Sequence, residues 1–416
     1  MRNTGYPPRR KCLPVYSVHW NLNFKIMTAK KVIGFIHLWL GLISGIIVVI
    51  VSITGCIMVF EKEIRSVTEP FQYVQTGKVL LPPSQLKKIV EEKSKDKNVG
   101  TITYNGPGRS AVVNYMGMKM GSMATNIYVD PYNGQILKIK VMKDDFFRIV
   151  LQGHYYLWLP KEIGKVIVPA GVLMFFFLLI TGLILWWPKS RKQAGLSFSI
   201  RWGAKWKKLN YDLHNVLGFY AMLILLCICT TGLVMGYKWF GQGFYWLTSG
   251  GHQLKTAKKP MSKNPVLSDS LNNKADLVWA ECLGRKPYVE ETAFTFYYPE
   301  KKNAAFMVFY NPNKNTHYLR ETWYFDQYSL KPLQGKGSGF EAGPYEKAGL
   351  GDKIKRMNYD IHTGGILGIW TKVLAFIASL ISATLPVTGF YVWWGKRRKK
   401  SKATKAATVD REMSLV

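Results

Sequence analysis

Residues 37–60 read HLWLGLISGIIVVIVSITGCIMVF, and residues 214–236 read HNVLGFYAMLILLCICTTGLVMG. Each run is apolar on every face for long enough to cross a bilayer as a helix, which needs roughly 20 residues. The two also share an internal pattern. His37 is followed four residues later by Gly41 and 17 residues later by Thr54-Gly55; His214 stands in the same relation to Gly218 and Thr231-Gly232. Two further apolar runs end alike, in TGLILWW from Thr181 and TGFYVWW from Thr388. His154 and His362 lie 27 and 26 residues before those threonines. The sequence therefore predicts four transmembrane helices, at 32–60, 163–187, 209–236 and 366–394.

The rest of the chain fits that frame. Of 416 residues, 48% are hydrophobic and 20% charged, which excludes disorder and leaves room for water-exposed domains beside the spans. The net charge of +32 raises the possibility of a nucleic-acid partner. Its placement removes that reading. The N-terminal tail 1–31, the loop 188–208 and the stretch 395–405 carry seven Lys/Arg each and no acid. All three fall on one side of a four-span chain, and an excess of short-loop Lys/Arg marks the cytoplasmic side. The expected location is a bacterial inner membrane, multi-pass, with both termini (1–31 and 395–416) cytoplasmic. The first span is no cleaved signal peptide: its apolar run is too long and Glu61 follows it directly. Met27 reads as a more natural start than Met1, which sets residues 1–26 apart as an upstream extension.

Segments 61–162 and 237–365 then face the opposite compartment. Of five cysteines only Cys282 lies in either, so no disulfide framework is expected there. Tyr128, Asp130, Tyr132 and Leu137 recur as Tyr324, Asp326, Tyr328 and Leu333, an offset of 196 throughout. Each set reads as strand, tight turn, strand. Polar helices are expected ahead of them at about 83–97 and 268–284, with further strands in TITYNG, AVVNYM, ETAFTFYY and AAFMVFY. The fold class is thus an all-α four-helix membrane bundle with two inserted extracytoplasmic α+β domains, built by internal duplication.

The Y-x-D-x-x-x-G turn, the H-x-x-x-G span starts and the T-G-x-x-x-W-W span ends together resemble the PepSY-associated transmembrane family, from about Lys30 to Lys399. The second turn departs from the pattern, with Ser329-Leu330 where the first has Asn133-Gly134. Members of this family are similar to inner-membrane ferric-siderophore reductases that carry haem. The resemblance implies PepSY-like exported domains, an oxidoreductase activity and a ferric siderophore or similar iron complex as acceptor.

The histidines point the same way. Ionisable side chains at a bilayer are costly and usually face the bundle interior. His37 and His214 open spans running outward and belong at one depth, near the inner face. His154 and His362 precede spans running inward and belong near the outer face. Two imidazoles from facing helices at each surface suit two b-type haems, held without covalent attachment because no C-x-x-C-H occurs. Gly41 and Gly218 leave room for a flat macrocycle. Zinc wants three or four clustered ligands, whereas each surface offers two His and, nearest to them, Asp212 and Asp360. No flavin or nicotinamide domain is present, so the donor is a quinol or a cytoplasmic reductase. The strand-rich pieces of the exported domains hold none of the four His, so the domains are expected to be dispensable for haem binding but not for substrate reduction.

Other features are read as structural. The loop around Gly335, Gly337 and Gly339 is flexible, Trp186-Trp187 and Trp393-Trp394 are interfacial anchors, and His252 and His317 are exposed. Tyr155, Tyr156 and Trp158 wall the outer haem, form a docking surface for a ferric complex, or anchor at the interface. Two rival functions remain. One is a membrane-anchored module binding a peptide or protease. The other is a transporter of iron or its complex, with Pro386 as the mid-span break.

Overall fold

The computed structural model describes residues 28–93, 98–115, 125–188, 190–255, 258–263, 271–335 and 343–413. The extension 1–26 and most of the loop around Gly337 lie outside them. Among the described residues, four helices are long and apolar enough to cross a membrane. The first is α1 (Ala29–Val59). It leads into α2 (Glu61–Thr68), α3 (Pro83–Glu92), β1 (Val99–Tyr104), β2 (Ala111–Tyr115), β3 (Thr125–Val129), β4 (Ile136–Val141) and α4 (Phe146–Tyr156). The second span is α5 (Lys161–Trp186), followed by the short α6 (Arg191–Ser197). The third is continuous from α7 (Trp206–Asp212) through a π-helical turn (Leu213–Leu217) into α8 (Gly218–Gly236). Then come α9 (Lys238–Thr248), α10 (Leu271–Arg285), β5 (Ala293–Tyr297), β6 (Phe306–Asn311), β7 (Glu321–Phe325), β8 (Pro332–Leu333) and α11 (Leu350–His362). The last span is the apolar part of α12 (Ile369–Met413), to Arg397. Observed span ends differ from the expected ones by a few residues.

The spans turn large apolar residues such as Ile43, Ile46, Phe177 and Leu223 outward, where hydrocarbon rather than water suits them. Between helices the approach is close. A Cβ on Gly171 of α5 meets Ile47 of α1 at 2.6 Å, so only glycine fits.

Segments 61–162 and 237–365 follow the expected element order: helix, then four strands, in each. They do not form two separate sheets. All eight strands join one antiparallel sheet in the order β4-β3-β2-β1-β5-β6-β7-β8. The seam is β1 against β5, with Ile102 opposite Phe296 and Thr103 opposite Thr295. The physical reason is the edge. Two four-stranded sheets expose the N–H and C=O groups of β1 and β5, and pairing them removes both edges. One core serves both halves. Leu86 and Val90 of α3 and Val278 and Trp279 of α10 lie on the face carrying Ile102, Val113, Phe294 and Phe306. Tyr104 of one half stacks on Trp279 of the other, ring centroids 4.3 Å apart. Cys282 is free and buried in that core.

The two turns at offset 196 match in backbone as well. Asp130 and Asp326 each accept from the backbone two residues on, at Tyr132 and Tyr328. Gly134 has φ +77°, and Leu330 at the matching place has φ +58°. A left-handed leucine costs roughly 1–2 kcal/mol, offset in part by its packing on the shared core.

A buried charge network ties the end of α1 to α4. Arg65 of α2 bonds Glu61, Glu69 and Asp145, and Lys140 bonds Glu69 and Asp145. Asp145 also caps α4 by accepting from the Arg148 N–H. Burial opposes ionisation of Asp145, but the Arg65 and Lys140 hydrogen bonds outweigh it and bring the carboxyl to about 2. Its folded pKa is depressed, so the stability it adds is present above the unfolded value near ~4 and is lost as pH falls toward about 2. Asp145→Asn keeps the shape and removes the charge. A detergent thermal melt at pH 7 should register a loss of about 2 kcal/mol, shrinking as the pH is lowered.

Candidate functional site: two histidine cavities

The four histidines of the spans meet in two pairs. His154 and His362 line a cavity of about 540 Å³ on the sheet side of the bundle. His37 and His214 line another of about 420 Å³ toward the basic loops. Both are largely apolar and within the range of cofactor pockets, roughly 300–1,000 Å³. Val48 of α1 and Phe175 of α5 line both, so a single layer of side chains separates them.

Each imidazole is held by a Thr-Gly pair of the neighbouring antiparallel helix. His37 Nδ1 lies 2.9 Å from Thr181 Oγ1 of α5, and His154 Nδ1 lies 3.0 Å from Thr54 Oγ1 of α1. His214 Nδ1 is 2.9 Å from Thr388 Oγ1 of α12, and His362 Nδ1 is 3.1 Å from Thr231 Oγ1 of α8. The two spans of each half thus interlock: the His beside one reaches the Thr-Gly of the other. The glycine makes room for the ring. A Cβ there meets the imidazole Cε1 at 3.5 Å from Gly55, 3.4 Å from Gly182, 3.2 Å from Gly232 and 3.1 Å from Gly389.

The hydrogen bonds fix the tautomer. Each threonine hydroxyl donates to the carbonyl four residues back in its own helix: Thr181 to Phe177, Thr54 to Ile50, Thr231 to Cys227, Thr388 to Thr384. With that proton committed, the oxygen accepts, and Nδ1–H donates. The Val51 and Ile228 carbonyls, 3.1 and 3.0 Å from His154 and His362 Nδ1, can only accept and require the same tautomer. Nε2 is then the unprotonated nitrogen. Among the described residues no hydrogen bond reaches it in any of the four. An imidazole that donates through one nitrogen and leaves the other bare in a cavity is the form that binds a metal.

The sheet-side pair adds a distance. The His154 and His362 ring centroids are 6.2 Å apart. Two metal–imidazole bonds of roughly 2 Å each, plus the two ring half-widths, span about that length. Zinc finds too few ligands: among the described residues no group of three or more His, Cys, Asp or Glu could hold a metal ion. Asp212 is occupied by Arg201 and Lys208, and Asp360 by the backbone N–H groups of His317 and Tyr318. Two imidazoles with bare Nε2 atoms and ring centroids 6.2 Å apart, in a largely apolar cavity, are residues that would suit a bis-imidazole haem.

The surroundings correct one sequence reading and add detail to others. His317 is not exposed: it packs on Tyr359, ring centroids 4.4 Å apart, and lines the sheet-side cavity with Asn315. Burial, with Lys62 and Arg320 nearby, lowers its pKa to about 4 and leaves it neutral at pH 7. The β6–β7 connection carrying it is drawn over the cavity by Asp360, and by Lys62 donating to the Lys314 and Asn315 carbonyls. The sheet therefore contributes residues to the lining of one cavity. Within the tryptophan pairs, Trp186 and Trp393 line the other cavity, while Trp187 and Trp394 face outward. Tyr155 and Tyr156 wall the sheet-side cavity, whereas Trp158 turns back to donate to the Ile149 carbonyl. His252 is exposed as expected.

A family profile described as a PepSY-associated TM region matches residues 35–396. The chain belongs to that family. The match takes in all four spans, the sheet between them and all four His–Thr-Gly cradles of this PepSY-associated chain. No curated protein matches it.

What the sequence left hidden is the use of its own Thr-Gly marks. Spacing ties each Thr to the His of its own span, yet the two sit at opposite ends of that helix. Only the antiparallel neighbour brings a His to each.

Proposed function

We propose that this PepSY-associated protein is a di-haem b electron-transfer protein of the bacterial inner membrane, with cytoplasmic termini and exported sheet. In this reading it passes electrons across the membrane to a ferric siderophore or similar iron complex and so aids iron uptake. His37 and His214 hold the haem on the cytoplasmic side, and His154 and His362 the one on the exported side. A haem with two imidazole ligands has no open axial position and supplies one-electron transfer rather than oxygen binding. The matched halves are read as products of one duplication, so each cavity takes one ligand from each copy.

The observation that carries the proposal is the sheet-side pair. Nδ1 is locked on Thr, Nε2 is bare, and the rings stand 6.2 Å apart. A module that merely anchors a peptide-binding sheet has no use for four such cradles. In this reading the donor is a separate molecule, a quinol or a cytoplasmic reductase. The test is an absorption spectrum of protein purified from haem-replete cells. A six-coordinate b-type α-band on reduction, with close to two haems per chain, is expected. A colourless protein would end the electron-transfer reading, and one haem per chain would remove the symmetric version of it.

A further inference from the structure

Asn210-Tyr211-Asp212-Leu213-His214 and Asn358-Tyr359-Asp360-Ile361-His362 share four residues of five. They stand at opposite ends of the bundle and precede spans of opposite direction, yet the shared residues do matching work. Asn210 Nδ2 donates to the Thr388 carbonyl at 3.0 Å, and His214 bonds the hydroxyl of that same threonine. Asn358 Nδ2 donates to the Thr231 carbonyl at 3.2 Å, and His362 bonds the Thr231 hydroxyl. Asn and His lie one helical turn apart on one face and grip one residue of the opposing helix at two points. Both asparagines are buried, 3% and 7% exposed. The aspartates fix the incoming connections: Asp212 holds Arg201, and Asp360 holds the backbone at His317 and Tyr318. The other two histidines lack this grip, since the residues four before His37 and His154 are Ile33 and Val150.

Packing alone does not call for an amide here. A buried amide is costly unless paired, and Asn358 Oδ1 is left without a partner among the described residues. A leucine fills such a place more cheaply. What an amide adds is register: one buried asparagine can fix how two helices are set against each other at some cost in stability. We propose that Asn210 and Asn358 are positioning residues that set the height and rotation of the His214 and His362 imidazoles in their cavities. The inference rests on the di-haem reading.

The test is Asn210→Leu and Asn358→Leu, with the alanine variants as a check on overpacking, in the full-length protein in detergent. Haem count, low-spin EPR signals and midpoint potentials are read for each haem. Asn210→Leu should shift or partly convert to high-spin the signal of the His37/His214 haem and leave the other unchanged. Asn358→Leu should do the reverse. The alanine variants should show the same one-sided pattern. Unchanged signals in variants of a red, two-haem protein would overturn the positioning role and leave the di-haem reading intact. So would equal loss of both haems in leucine and alanine variants alike, since positioning is confined to one cavity. A colourless wild type overturns the di-haem reading itself, and the inference with it.

Discussion

On the di-haem proposal, His37→Ala and His214→Ala are expected to strip or turn high-spin one haem of the two, and His154→Ala and His362→Ala the other. The expectation follows from where the imidazoles stand. His154 and His362 face each other at 6.2 Å in one cavity, and His37 and His214 line the second. Each variant leaves one imidazole without its opposite in a mostly apolar site. The second cavity keeps both ligands and both Thr-Gly cradles, so its spectrum should be unchanged. Electron flow across the membrane should stop in all four, because in the proposed reading the two haems act in series. With donor supplied, the His154 and His362 variants should still reduce the haem on the basic side; the His37 and His214 variants should leave the sheet-side haem oxidised. Should His37→Ala and His362→Ala remove the same haem, the pairing by depth is wrong.

Much of this arrangement can be read from residues alone, and the remainder fails for identifiable reasons. The four spans, the strands and the depth of each histidine follow from apolar length, alternation and loop charge. The cradles do not. His37 and Thr54 belong to one helix, and 17 residues at ~1.5 Å per residue place them about 25 Å apart. Their partners come from the antiparallel neighbours, and nothing in the spacing says which. The β1–β5 seam is equally silent. Strand alternation identifies Ile102 and Phe296 as core residues but not as cross-strand partners. His317 reads as exposed because it has no counterpart in the other half. The carboxylate that draws its loop inward, Asp360, lies 43 residues away.

The cradles also give a graded expectation. Thr→Val is nearly isosteric and removes one acceptor, so its effect depends on what else the imidazole N–H can reach. His154 and His362 keep the Val51 and Ile228 carbonyls, and His214 keeps that of Leu385. His37 has Thr181 as its one acceptor among the described residues. In Thr181→Val the Nδ1–H is left unpaired in an apolar site, a cost of roughly 1–3 kcal/mol. The ring is free to turn, and the tautomer that bares Nε2 loses its support. Loss of such an outer partner typically weakens metal binding by about 10–100-fold. Thr181→Val should therefore lower haem affinity on the basic side by that factor, whereas Thr54→Val, Thr231→Val and Thr388→Val should each cost less than about 10-fold in their own cavity. Transfer of haem to an excess of an apo-globin, followed at two wavelengths, measures all four. Equal losses across the series, or a Thr181→Val effect on the sheet-side haem, would show that the hydroxyls do not orient the ligands.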